Sequence, residues 1–334
     1  MTYFIFACIA LLCWSGSDLF SKMGTSQKDS NSQWRVMTAV GLIMGLHAVI
    51  TIIASIWLPA IPVDPSTGEL APEWWRPLIY TDFKAIDFVR YLPVAFIYIF
   101  AMLIGYRGLR YIELSVSSPI CNSSGSLALV ICVLCGWAIL DGWTIAAVVL
   151  ITAGIIMLGI VEYRESDEAK LARQDKSQFR YTKSIWAILI PVIYLILDAL
   201  GTVGDQAISE FELFGMSEYA SNTAFEFTSL CYAIFSIIWI KFVKKDRLFI
   251  KPEAGDKTLM YRYFGGACET IGQIFYMSVM FSDFDAGMPM ISAYCVVSVI
   301  WSRIFLKEKL SWKHYIAIGL TIAGIILLGI FSSI

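Results

Sequence analysis

Four carboxylic acids stand out inside apolar stretches of this chain, Asp18, Asp198, Glu226 and Glu269, with Asp205 two turns beyond Asp198 near the end of its stretch. A charge at the centre of a bilayer costs about 2.5–3.5 kcal/mol even on the gentlest scale, so an acid kept there is expected to face the protein interior or water. No Lys or Arg within the stretches obviously neutralises them. Trp14 precedes Asp18 by four residues, and Tyr194 precedes Asp198 by four. On a helix each aromatic then shares a face with its acid. An acid beside an aromatic face suits an amine or quaternary ammonium, through charge and cation–π attraction. The same acids are also suited to binding a proton, or to holding two helices together as protonated, hydrogen-bonded groups. Glu269, Gln273 and Tyr276 follow helical spacing, as do Asn222, Glu226 and Ser229. Pro119, between Ser117-Ser118 and Asn122-Ser123-Ser124, frees backbone carbonyls for a ligand or a gate, or simply kinks a span. The residues expected in substrate binding or proton coupling are therefore Asp18, Asp198 and Glu269, with Glu226 behind them. Trp14, Tyr194, Asn122, Gln273, Tyr294 and Tyr98 are expected to line the pocket.

The elements that must position these groups are membrane spans. The chain is 58% hydrophobic and 16% charged, against about 45–50% and about 25% in soluble domains. Runs of about 20 apolar residues cross a bilayer, and ten can be placed. They run about 3–21, 36–58, 89–111, 115–138, 143–161, 184–207, 219–240, 260–281, 286–306 and 312–331. The first is read as a retained span, because it lacks a basic leader region and a small-residue cleavage site. All eight Cys lie in apolar segments, and Cys132-x-x-Cys135 falls within a span, where packing explains it. Two His, His47 and His314, far apart in sequence, give no zinc pattern. No cofactor, metal or nucleic-acid partner is implied.

The span ending is written twice. Leu150–Ile160 and Leu320–Ile330 agree at eight of eleven positions, at an offset of 170. The same offset pairs Pro119 with Pro289, Tyr106 with Tyr276 and Glu113 with Asp283. The chain thus reads as two five-span units, 1–161 and 184–334, joined by a charged linker at 162–183. Five is odd, so the second unit is expected upside down relative to the first, a pattern of secondary transporters. Lys and Arg gather in the loops after odd spans, and the loops after spans 4, 6 and 8 have none. The positive-inside rule then puts the odd loops in the cytoplasm and both termini outside. The long loop at 59–88, with five prolines and Trp74-Trp75, becomes an outer lid anchored at the interface.

On these residues the chain resembles the EamA-like branch of the drug/metabolite transporter superfamily. Trp14-Ser-Gly-Ser-Asp-Leu-Phe-Ser-Lys22 is similar to that family's first-span pattern, a Trp followed eight residues later by a Lys. Phe305-Leu-Lys-Glu-Lys-Leu-Ser-Trp312 resembles its short Glu-bearing link between spans 9 and 10, and Gly-Ile-Ile-Leu-Leu-Gly its last span. The loop at 59–88 is longer than the family's, and Glu308 has no clear counterpart in the first unit. The resemblance implies two inverted bundles, a cavity lined mainly by spans 1, 3, 4, 6, 8 and 9, and alternating access. Glu308 is expected at the interface, capping span 10.

The resulting expectation is an all-α, ten-helix secondary transporter of the plasma (inner) membrane, moving a small polar, cationic or amine-bearing metabolite, with proton coupling as a hypothesis. An exporter of amino acids or drug-like compounds is the alternative. An embedded enzyme or a sensor is more distant, because neither a nucleophile–base pair nor a soluble output domain is legible. Its expected partners are substrate and lipid, and a homodimer stays open.

Overall fold

A computed structural model describes residues 2–57, 76–137, 142–174, 184–210, 215–249, 257–282 and 294–331, with 177, 179, 181 and 182. The sequence features at Trp74-Trp75, Asp283 and Pro289 lie outside the described residues. Among the described residues all regular structure is helical: α1 (Thr2–Met23), α2 (Ser32–Trp57), α3 (Arg76–Ile79), α4 (Ala85–Gly108), α5 (Leu114–Cys121), α6 (Ser124–Leu134), α7 (Gly142–Arg164), α8 (Asp167–Arg173), α9 (Trp186–Glu210), α10 (Glu218–Ile238), α11 (Thr258–Ser282), α12 (Tyr294–Trp301) and α13 (Trp312–Phe331). α10 and α12 each end in a wider π-type turn, Trp239–Val243 and Ser302–Leu306.

Seven segments are long and apolar enough to cross a bilayer, and Tyr294–Leu306 and Trp312–Leu327 are shorter apolar helices. α11 is as long as the seven but carries Arg262, Glu269, Thr270 and Gln273. The outer surface is apolar: Leu46 is 60% exposed, Val149 60% and Ile185 77%. Exposed apolar surface on this scale marks a face covered by lipid or protein. The main core lies between α1, α2, α4 and α10, around Leu19, Met37, Val40, Tyr91, Ile99 and Ala224. A second core, around Ile112, Ile120, Leu158, Leu195 and Ala317, lies between α5, α7, α9 and α13.

The sequence reads the fourth span as one helix, but it is broken between α5 and α6 at Asn122–Ser123. Pro119 has no N–H to continue the ladder. Asn122 Nδ2 donates to the Ser118 carbonyl at 2.9 Å, and Ser123 Oγ to the Pro119 carbonyl at 2.7 Å. Such side-chain bonds compete with helical ones and bend the helix.

Helix α1 packs chiefly on α11, and α9 chiefly on α4. α1 also meets α12, while α9 meets α6. α2 packs on α10 and α7 on α13. The repeated glycines make the last contact. A Cβ on Gly154 would lie 2.2 Å from Thr321 Oγ1, and one on Gly324 would lie 2.6 Å from Ile151. Each glycine, 170 positions from the other, therefore admits the facing helix at backbone distance.

Candidate functional site

Asp18 sits where α1 meets α5 and α12. Its Oδ2 accepts from Ser118 Oγ at 2.7 Å and from Ser298 Oγ at 2.8 Å. Asp198, on α9, accepts from Ser124 Oγ at 2.5 Å. The two acids therefore hang on opposite sides of the break in the fourth span. Asn122 stands at that break and also donates to Ser118 Oγ at 3.3 Å, so it steers the hydroxyl that holds Asp18. Glu269, on α11, is bonded by the Ser17 hydroxyl and lies within electrostatic reach of both aspartates. Among the described residues, no Lys or Arg pairs with Asp18, Asp198 or Glu269.

The Trp14 ring lies 5.1 Å from Tyr276 and 5.6 Å from Tyr294, between α11 and α12. Ser15 Oγ fixes this corner by donating to the Tyr294 carbonyl at 2.9 Å. The Trp14 indole N–H is buried and has no hydrogen-bond partner. Trp14 needs Gly272 opposite it, where a Cβ would come within 2.5 Å, and Tyr194 needs Gly105, where one would come within 2.8 Å. Tyr98 is set further along α4 and donates to Thr202 Oγ1 at 3.1 Å.

Glu226 and Gln273 belong to a different arrangement. Glu226 Oε2 lies 2.7 Å from His47 Nδ1, and its Oε1 accepts from Asn222 Nδ2 at 3.3 Å. Gln273 Nε2 donates to Asn222 Oδ1 at 3.0 Å. His47 Nε2 faces the Leu78 carbonyl at 3.0 Å, which ties α2 to α3. Spacing alone cannot pair His47 with Glu226, 179 positions away. The signal was that each is the lone ionisable group in its span.

The end of the bundle nearest the linker holds a second polar centre that the sequence reading misses. Lys22 is fully buried. Its ammonium donates to the carbonyls of Leu109 and Ile112, and lies 4.6 Å from the Tyr181 ring and 5.1 Å from Phe179. Glu308 accepts from the N–H groups of Leu114 and Ser115, both at 3.0 Å, and from Ser115 Oγ at 2.7 Å. It thus caps α5, across the two halves, and not the tenth span as its position suggests. Lys307, in the left-handed region at φ 56°, turns the chain back so that Glu308 faces α5. Burial pushes the Glu308 carboxyl above the usual range, and the Lys22 charge opposes that shift.

The linker joins this centre. Gln174 Nε2 donates to Glu113 at 2.6 Å, and the Tyr181 N–H donates to Gln174 Oε1 at 2.7 Å. Lys170 pairs with Glu162 and, at 3.9 Å, with Glu113; His314 Nε2 lies 3.1 Å from Glu162. Glu162, Glu165 and His314 bring three ligand atoms within 4.8 Å of one another. Lys170 already supplies a positive charge to Glu162 there. A linker rich in charge reads as solvated, yet Lys170 and Gln174 are almost wholly buried.

Residues 212–330, from shortly before α10 almost to the end of α13 and less than half of the chain, match the model of the EamA-like transporter family. That family is part of the drug/metabolite transporter superfamily. A solved structure described as "Crystal structure of protein" shares the fold at TM-score 0.52 and 12% identity, over 97% of this chain and 94% of its own. No curated protein matches the sequence. With its apolar exterior and long apolar helices, the chain is a multi-pass membrane protein.

Proposed function

We propose that this EamA-like protein is a secondary transporter, not an enzyme, for a small polar metabolite that carries an amine or other cation. The observation that carries the reading is the trio Asp18, Asp198 and Glu269, half-buried on α1, α9 and α11 within electrostatic reach of Tyr194 and Tyr294, with no Lys or Arg paired to them among the described residues. Hydroxyls of Ser118, Ser298 and Ser124 solvate the two aspartates in place of water. A cation entering there gains carboxylate and aromatic-face contacts together. A proton on one of the acids would compete with it, which couples the cycle to pH.

The reading includes ten spans in two inverted repeats, 1–161 and 184–334, in the plasma (inner) membrane with both termini outside. The repeat at an offset of 170, the exchange-related helix contacts and the basic loops support it. The halves meet at the broken fourth span, which touches both aspartates and, through Glu308, the linker end. Rocking one half on the other would then expose the acids to each side in turn.

Reconstituted vesicles challenged with amines, amino acids and sugars test the substrate class. Exchange of amines alone is expected. Exchange restricted to neutral sugars would overturn it.

A further inference from the structure

We infer that the substrate is a short aliphatic diamine, held at both ends. This rests on the cation-transport reading above and narrows it. The two aspartates are not one acidic patch. Each stands on a counterpart helix, α1 or α9, with an aromatic one turn before it: Trp14 before Asp18 and Tyr194 before Asp198. Each is tethered to a different serine of the same broken span. Ser118 and Ser124 lie on opposite sides of the break at Asn122–Ser123, on α5 and α6. The site therefore offers two acid–aromatic corners, one from each half.

A monocation fills one corner and leaves the other carboxyl without a charge partner in a buried setting, which is unfavourable unless that carboxyl takes a proton. A diamine fills both. Each ammonium would make a charge-assisted hydrogen bond of about 2.8 Å to its carboxylate, with the methylene chain running between the corners. The chain would cross the break, where Cys121 and Asn122 lie and no Lys or Arg among the described residues intrudes. The third acid, Glu269, lies within reach of both corners. It is free to carry the proton that leaves or enters with the dication. The site is also built by both halves, so a two-headed substrate bridges the parts that must move.

The test is binding to the detergent-purified full chain. α,ω-Diamines of two to eight carbons are titrated beside the matching monoamines, for wild type, Asp18→Asn and Asp198→Asn. Diamines should bind at least about tenfold more tightly than monoamines of equal length, with an optimum at one chain length. Each single variant should bind the diamine no more tightly than the monoamine of equal length. Equal affinity for the two series in wild type overturns the diamine assignment and leaves cation transport standing. Binding of neither series overturns both. A diamine preference that survives in either variant also overturns the two-corner assignment.

Discussion

Replacing Glu308 by Ala should loosen the seam between the two halves. Its carboxylate takes two backbone N–H bonds and one hydroxyl bond from the start of α5. All the groups are buried: Glu308 is 2% exposed, Leu114 1% and Ser115 3%. A buried donor left without a partner costs about 1–3 kcal/mol. Three such donors at the lower bound give about 3 kcal/mol. For a large chain, about 2–4 °C of midpoint per kcal/mol turns this into a fall of roughly 6–12 °C. Lys22, whose charge Glu308 offsets, would add to the loss. Glu308→Gln keeps one carbonyl oxygen to accept from the N–H groups, so its fall should be about half as large or less. Thermal unfolding in detergent, followed by tryptophan fluorescence, reads both variants. An unchanged midpoint in Glu308→Ala would refute the cap, and a Gln variant worse than Ala would refute the geometry.

Other consequences are equally direct. Gly154→Ala should lower stability by about 1–3 kcal/mol through overpacking against Thr321, whereas Gly142→Ala, with nothing within 4 Å, should change the unfolding midpoint little. His47→Ala and Glu226→Gln should each destabilise, with a coupling of about 0.5–3 kcal/mol in a double-mutant cycle; strict additivity would deny the pair. Asp246 is held below the ordinary carboxylate range, first by the Asn31 amide and then by Arg35. Its contribution is therefore present above the ordinary value of 3.8 and lost as pH falls through the lower folded value. The contact of this loop with residues 29–35 should loosen only in strong acid, as hydrogen exchange would show. A tag at the C-terminus should be labelled by an impermeant reagent from outside intact cells.

The architecture was legible wherever one physical rule dominated. Apolar length placed most helices within a few residues, and the repeated glycines marked the close packing of α7 on α13, where Gly154 meets Thr321 and Gly324 meets Ile151. Helical spacing relates Trp14 to Asp18 and Tyr194 to Asp198, but not Trp14 to Tyr294, which only the packing of α1 on α12 brings together. What stayed hidden depends on tertiary pairing. Composition cannot reveal that Glu226 belongs to His47, or that Gln273 reaches Asn222. The break at Asn122–Ser123 was half visible, because Pro119 marks a weakness while Asn122 and Ser123 complete it. Lys22 and the linker were misread for one reason: charged residues near a span end were taken as solvated. Here carbonyls at the end of α4 and the rings of Phe179 and Tyr181 replace water around the ammonium.

Uptake of a labelled amine by vesicles carrying wild type or Asp198→Asn, measured across pH, tests the central claim most directly. The account predicts pH-dependent uptake in wild type and none in the variant, with the variant still folded. Unchanged pH-dependent uptake in Asp198→Asn would contradict it.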